Sequence, residues 1–282
     1  MLETQQLEVA LAAVVGLAIG SFLNVVIHRL PKMLERQWAD ECADLAGTAP
    51  TSAEQARLGL MTPRSRCGSC GHQIGWIENI PILSYLFLRG KCSKCSAPIG
   101  IRYPMVELTT AALFAFCAAR WGLTPAGVSW AIFCAALLTL ACIDWDTTFL
   151  PDDITLPLVW GGLIASALQF TAAPLSASLW GVVAGYLSLW SVYWAFKLLT
   201  GKEGMGYGDF KLFAALGAWF GWQALIPIIL MASVIGALVG IGMKYSSGLR
   251  EGGYVPFGPF LAGAGFISLI FGPQAVLSFA GL

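Results

Sequence analysis

The chain has 282 residues, of which 57% are hydrophobic and only 11% charged, with 32 glycines and 11 tryptophans; its mean hydropathy is +0.72. A soluble domain of this size carries roughly 25% charged residues, so the composition excludes an ordinary water-facing globule and points to a lipid bilayer. Sixteen basic residues balance sixteen acidic ones, so bulk electrostatics indicate no nucleic acid partner.

The first apolar run covers residues 9–27 and follows Glu3 and Glu8 rather than a basic segment. It ends in His28, Arg29 and Lys32 without a small-residue cleavage site, the pattern of a retained helix rather than a removed signal. Residues 30–103 then change character, with dense polar residues and four cysteines in two pairs. Apolar runs resume at residues 106–121, 128–143, 154–170, 179–199, 210–220, 225–243 and 256–271. At about 20 residues per crossing, eight helices consume roughly 160 residues and leave room for one modest soluble appendage. The expected architecture is an all-α polytopic membrane protein of about eight transmembrane helices. Its expected parts are a first helix over 1–29, a cytoplasmic cysteine-bearing loop over 30–103, and a seven-helix membrane domain over 104–282.

The basic residues set an orientation. With the long loop inside, Arg29, Lys32, Arg36, Arg57, Arg64, Arg66, Arg89, Lys91, Lys94 and Arg102 are all cytoplasmic, as are segments 197–211 and 244–250, and Arg120 falls outside. The N-terminus is then on the outer face.

Ionisable groups at membrane depth are costly and mark function. Glu107, the pair Asp144 and Asp146, and Asp209 lie beside apolar runs, all near the same cytoplasmic boundary in this topology. The run leading into Asp144 places its carboxylate in a partly dehydrated setting, whereas Asp146, Asp152 and Asp153 read as solvated markers of a loop. Asp144 and Asp146 point about 200° apart on a helix and do not share one site. Glycines at 201, 204, 206 and 208 precede Asp209, where they let the backbone approach closely or take positive φ. A carboxylate at that place can cap a helix. Capping does not account for four glycines. Two neighbouring dehydrated carboxylates can share a proton, one activating a water and the other protonating a scissile carbonyl, as in aspartic proteases.

Gly206-Tyr207-Gly208-Asp209, Ile143-Asp144-Trp145-Asp146 and Leu150-Pro151-Asp152 together resemble the type IV prepilin peptidase family. So do the stretch from Gly20-Ser21-Phe22-Leu23-Asn24 to Leu30-Pro31, Glu78-Asn79-Ile80-Pro81, and Arg102-Tyr103-Pro104-Met105-Val106-Glu107. The resemblance implies an intramembrane aspartic endopeptidase of the bacterial inner membrane with Asp144 and Asp209 as catalytic residues. It implies that the basic leader of prepilins or pseudopilins is cut at the cytoplasmic face, and that S-adenosylmethionine then methylates the new N-terminus. It does not indicate which residues bind S-adenosylmethionine. Two other classes stay open on the residues alone: a proton- or cation-coupled transporter using the buried acids, and a noncatalytic assembly factor.

Cys67-Gly-Ser-Cys70 and Cys92-Ser-Lys-Cys95, separated by 21 residues, have the pattern of a four-thiolate structural Zn²⁺ ribbon. Redox thiols or disulfides are the alternatives, disfavoured in a reducing compartment. Cys117, Cys134 and Cys142 read as buried hydrophobes and Cys42 has no partner at ligand spacing. Trp76, Trp121, Trp145 and Trp219 suit interfacial belts, His28 and His72 lack metal spacing, and Gly236-x-x-x-Gly240 suits helix packing. Glu107 is read either as a structural pairing group or as an aid to methyl transfer.

Overall fold

A computed structural model describes residues 2–48, 59–245 and 255–272; Arg57 and Arg250 lie outside them. Among the described residues the chain is helical, and strand pairing is limited to two isolated bridges. Helices α1 (Leu2–Leu45), α2 (Leu83–Phe87), α3 (Arg102–Trp121), α4 (Pro125–Thr147), α5 (Asp152–Ala167), α6 (Leu175–Thr200), α7 (Tyr207–Phe220), α8 (Leu225–Tyr245) and α9 (Gly258–Phe271) follow in order. Apart from the short α2, each matches one apolar run. Among the described residues four stretches are long and apolar enough to cross a membrane: Glu3–Leu45, Pro125–Thr147, Leu175–Thr200 and Trp222–Tyr245, with Gly258–Phe271 a shorter apolar helix.

The first helix does not stop at Arg29. It continues through Pro31 to Leu45, 44 residues in all, or about 66 Å, more than twice the hydrocarbon thickness. Proline removes one backbone donor, but the residues beyond it are mostly good helix formers. Gln37 and Glu41 add an i,i+4 hydrogen bond of 2.9 Å.

The chain divides into two compact units, Met1–Ala131 and Ile132–Leu282. In the first, α1 and α3 pack antiparallel. Their pairing runs from Gln5 Nε2, which donates to Ala119 O at 3.2 Å, to Asn24 Nδ2, which donates to Tyr103 O at 3.1 Å. Between these ends the helices approach through glycine. A Cβ on Gly16 would lie 2.7 Å from Ala111 Cα, and one on Gly20 would lie 2.7 Å from Glu107 Cα. Small residues spaced by four let two helix backbones come together this closely.

In the second unit α7 is the central helix, in contact with α5, α6, α8 and α9. Every residue from Asp209 to Trp219 except Lys211 is buried, which accounts for its apolar surface on all sides. An added Cβ on Gly181 of α6 would strike the Gly217 carbonyl, one on Gly217 would strike Gly181, and one on Gly185 would lie 2.9 Å from the Phe213 carbonyl. Trp219 is therefore not interfacial: it is 3% exposed and its Nε1 donates to Leu158 O at 2.9 Å. Burying an indole requires such an acceptor, and α5 supplies it. Gly236 faces Phe260 as a packing glycine, although the α6–α7 contact is the tighter one.

Candidate functional site

Asp144 lies in the last turn of α4, where it is 4% exposed. Its Oδ2 accepts the backbone N–H of Gly258, at the head of α9, at 2.9 Å. The first-turn amides of a helix have no intrahelical acceptor, and the carboxylate satisfies one of them. A side chain on Gly258 would crowd this contact, because a Cβ would sit 2.6 Å from Asp144 Oδ2. Asp146, two residues on, is exposed, as the helical angle requires.

Asp209 lies in the first turn of α7 and is 3% exposed. Gly206 is the N-cap, and Asp209, three residues on, accepts a hydrogen bond from the Gly206 backbone, the reach-back arm of a capping box. Its Oδ1 is buried and meets no hydrogen-bond partner among the described residues. An acceptor buried in this way is costly, and among the described residues only the Ser178 and Ser268 hydroxyls share the condition. The charge of Asp144 bears directly on Asp209, so the two sequence-predicted acids are neighbours within one unit.

The glycines before Asp209 divide their tasks. Gly201 takes φ +71° and ends α6, Gly204 lies against Phe196, and Gly208 seats the first turn of α7 on Leu150. A Cβ on Gly208 would fall 2.7 Å from Leu150 Cβ. Leu150 belongs to the loop that follows Asp144, so this contact draws the two acid-bearing segments together. Lys197 Nζ, near the end of α6, donates to Glu203 Oε1 at 2.8 Å and ties down the intervening loop.

Asp152 is not a mere loop marker. It opens α5 and receives Lys211 Nζ at 2.6 and 2.7 Å on its two carboxylate oxygens. Lys211 is two residues beyond Asp209 and Asp152 is eight beyond Asp144, so the ion pair fastens one acid-bearing segment to the other. Charge pattern alone does not reveal it, since the partners are 59 residues apart.

In the first unit, the thiols of Cys67, Cys70, Cys92 and Cys95 lie within 4.8 Å of one another. Cys67 Sγ and Cys95 Sγ are 3.8 Å apart, matching the roughly 3.8 Å sulfur separation of a tetrahedral zinc site with Zn–S near 2.3 Å. The two C-x-x-C turns are built alike. Cys67 N–H donates to His72 O at 2.8 Å and Gly71 N–H to Cys67 O at 2.9 Å, while Cys92 N–H donates to Ala97 O at 2.8 Å and Ser96 N–H to Cys92 O at 3.0 Å. The residue after each second cysteine is left-handed, Gly71 at φ +70° and Ser96 at φ +57°. Backbone amides of Cys70 and Ser69 lower the Cys67 thiol to about 6, and those of Cys95 and Lys94 lower Cys92. Cys95 is pushed up to about 12: the Ala97 amide opposes the rise, but hydrogen bonds with the Cys70, Cys92 and Cys67 thiols and burial prevail. Four convergent soft donors, the Cys67 and Cys92 thiols both lowered by backbone amides, fit a zinc ion. Of the other cysteines, Cys117 and Cys134 are buried, Cys142 is half-buried and Cys42 is exposed.

Glu107 is 8% exposed. Its Oε2 accepts the N–H of Ile82 at 2.8 Å, and Ser21 also hydrogen-bonds its carboxylate. Ile82 has φ +59°, a strained conformation for a β-branched residue, and Glu107 holds that bend in place. His72 pairs with Glu78 at 3.3 Å, and His28 bonds Lys32 at 3.0 Å.

Buried acids in an apolar helical unit, accompanied by a four-cysteine module, define a helical membrane enzyme rather than a soluble one. The sequence model described as the bacterial peptidase A24 N-terminal domain matches residues 14–121, and that of the type IV leader peptidase family matches residues 131–241. The chain belongs to the type IV leader peptidase family. A prepilin leader peptidase/N-methyltransferase of Pseudomonas aeruginosa is 51% identical over 269 residues, covering 94% of this chain and 92% of its own length. Proteins of the same description from Burkholderia pseudomallei and Aeromonas salmonicida are 50% and 52% identical, covering 98% and 91% of this chain and 89% and 88% of their own lengths. No solved structure matches the chain significantly.

Proposed function

We propose that this protein is a bifunctional enzyme of the bacterial inner membrane. It cleaves the leader of type IV prepilins or pseudopilins at the cytoplasmic face and then methylates the new N-terminal amine with S-adenosylmethionine. The observation that carries the reading is the pair of buried carboxylates, Asp144 and Asp209, held in one unit with an acceptor oxygen of Asp209 left open. Family membership and the description of the relatives as prepilin leader peptidase/N-methyltransferases support it, and they do not favour a transporter or a noncatalytic factor.

In peptide cleavage one carboxylate takes a proton from water as the water attacks the scissile carbonyl. The other, protonated, donates to the carbonyl oxygen, and proton return to the amine releases the leader. Gly258 orients Asp144, Gly208 and Leu150 set the approach of α7, and the Asp152–Lys211 pair fixes the two segments against each other. Cys67, Cys70, Cys92 and Cys95 would hold Zn²⁺. With four protein ligands the ion would have no open position, so it would supply folding energy to a small module rather than chemistry.

Eight spans with the N-terminus outside place the cysteine module and both aspartates on the cytoplasmic side, in keeping with the basic residues near the helix ends. Mass spectrometry of a prepilin incubated with the purified protein, with and without S-adenosylmethionine, separates the two activities. Leader loss and a further methyl mass are expected; an intact prepilin in both reactions refutes the proposal.

A further inference from the structure

Residues 59–102 carry Arg64, Arg66, Arg89, Lys91, Lys94 and Arg102, all exposed, against the single acid Glu78. That acid is engaged, since Oε2 of Glu78 accepts the Gly75 N–H at 2.8 Å and faces His72. The same segment exposes large apolar side chains: Trp76 is 75%, Ile77 60%, Leu86 65% and Phe87 83% exposed. Trp76 and Ile77 stand at the start of a 3₁₀ turn, Leu86 and Phe87 end α2, and these two short elements pack against each other. A soluble surface does not ordinarily gather this much apolar area. Aromatic and aliphatic anchors interleaved with cations are the composition of a segment lying in a membrane interface.

Two features single out the occupant. The excess of positive charge is complementary to anionic lipid headgroups, which attract basic segments close to the bilayer surface. The module also leads into α3, which packs on α1, and α1 contains an apolar stretch long enough to cross a bilayer. Its first residues are held beside the end of that apolar stretch by Arg29, which donates to Gly59 O at 2.9 Å and to Leu60 O at 3.3 Å, and its last residue, Arg102, opens α3.

We propose that the face formed by Trp76, Ile77, Leu86 and Phe87 seats the cysteine module in the headgroup layer of the protein's own bilayer, with the surrounding arginines and lysines on anionic lipid. The apolar side chains enter the boundary between headgroups and acyl chains, and the cations remain at the level of the phosphates. The module is thus a monotopic element inserted between two helices, independent of the chemistry at Asp144 and Asp209.

The test is amide hydrogen exchange of the full-length protein in nanodiscs of phosphatidylcholine alone or mixed with phosphatidylglycerol. Residues 82–88 should exchange about tenfold more slowly in the anionic discs, and high salt should reduce the difference. The combined variant Leu86→Ser and Phe87→Ser should lose the slowing while retaining zinc, and zinc content reports that the module still folds. The wild-type comparison between lipids requires no variant. In Arg89→Ser combined with Lys94→Ser the dependence on phosphatidylglycerol should shrink. Equal exchange in both lipids and in detergent overturns the proposal. Slowing seen only with added prepilin peptide assigns the face to substrate, and slowing seen only in discs holding two copies assigns it to self-association; either result overturns it.

Discussion

The backbone amide of Gly258 donates to Oδ2 of Asp144 at 2.9 Å across 114 residues of sequence. One oxygen of this acid is therefore fixed by the first turn of α9, and the absence of a side chain on Gly258 is what permits it. Replacing Gly258 by Ala puts a methyl group 2.6 Å from that oxygen, so the carboxylate must turn or α9 must retreat. Leader cleavage should fall by about a hundredfold, as for a misplacement near 1 Å, with expression and zinc content unchanged. Full activity in Gly258→Ala would show that the contact does not position the acid.

Asn is nearly isosteric with Asp and cannot shuttle the proton. Asp144→Asn and Asp209→Asn should each reduce leader cleavage by at least about 10⁴-fold, measured by mass spectrometry at wild-type expression and zinc content. Asp209→Asn should still methylate a pre-cleaved pilin peptide when S-adenosylmethionine is present. Loss of both reactions would instead indicate a shared site or a misfolded chain.

Asp152 and Lys211 form their ion pair partly in solvent, with side chains 54% and 27% exposed. Such a pair contributes about 1 kcal/mol or less to stability, so its larger effect should be on cleavage. Asp152→Ala and Lys211→Ala should lower the cleavage rate by similar factors, and the double variant should be no worse than either alone. The charge swap Asp152→Lys with Lys211→Asp should recover part of the rate. Additive losses in the double variant would mean that the two residues act separately.

Removal of zinc should expose the cysteine module. Chelation, or Cys67→Ser, should accelerate proteolysis between Arg36 and Arg102, followed by the appearance of fragments on a gel. Restoring zinc to the chelated wild type should reverse the effect. Digestion that chelation leaves unaltered would contradict a structural metal.

The apolar runs, the two acids and the two cysteine pairs are legible in the sequence because each is a local signal: hydropathy over twenty residues, a charge beside an apolar run, or a fixed ligand spacing. The contacts that unite them are not local. The seat of Gly258 on Asp144, the Asp152–Lys211 pair and the burial of Trp219 on Leu158 each depend on which helices become neighbours. Membrane helices that are apolar on every side give little periodic indication of that choice. Gly236 and Gly240 stand out in the sequence as packing glycines, yet Gly181 and Gly185 have the same spacing and make the closer contact. The length of α1 is hidden for another reason: Pro31 and the charges after the first run read as a stop, while the helix-forming residues beyond them carry the helix on.

The meeting of Gly181 with Gly217 is made by main chain on both sides, with no rotamer between the two helices to adjust. Helix α7 therefore cannot slide along α6 by repacking, and the position of Asp209 relative to α6 is set by a rigid stop. Under the proposed function, a peptide bond to be cut has to travel to that level itself, so depth of insertion of the incoming chain, rather than motion of the aspartates, selects the bond that is broken.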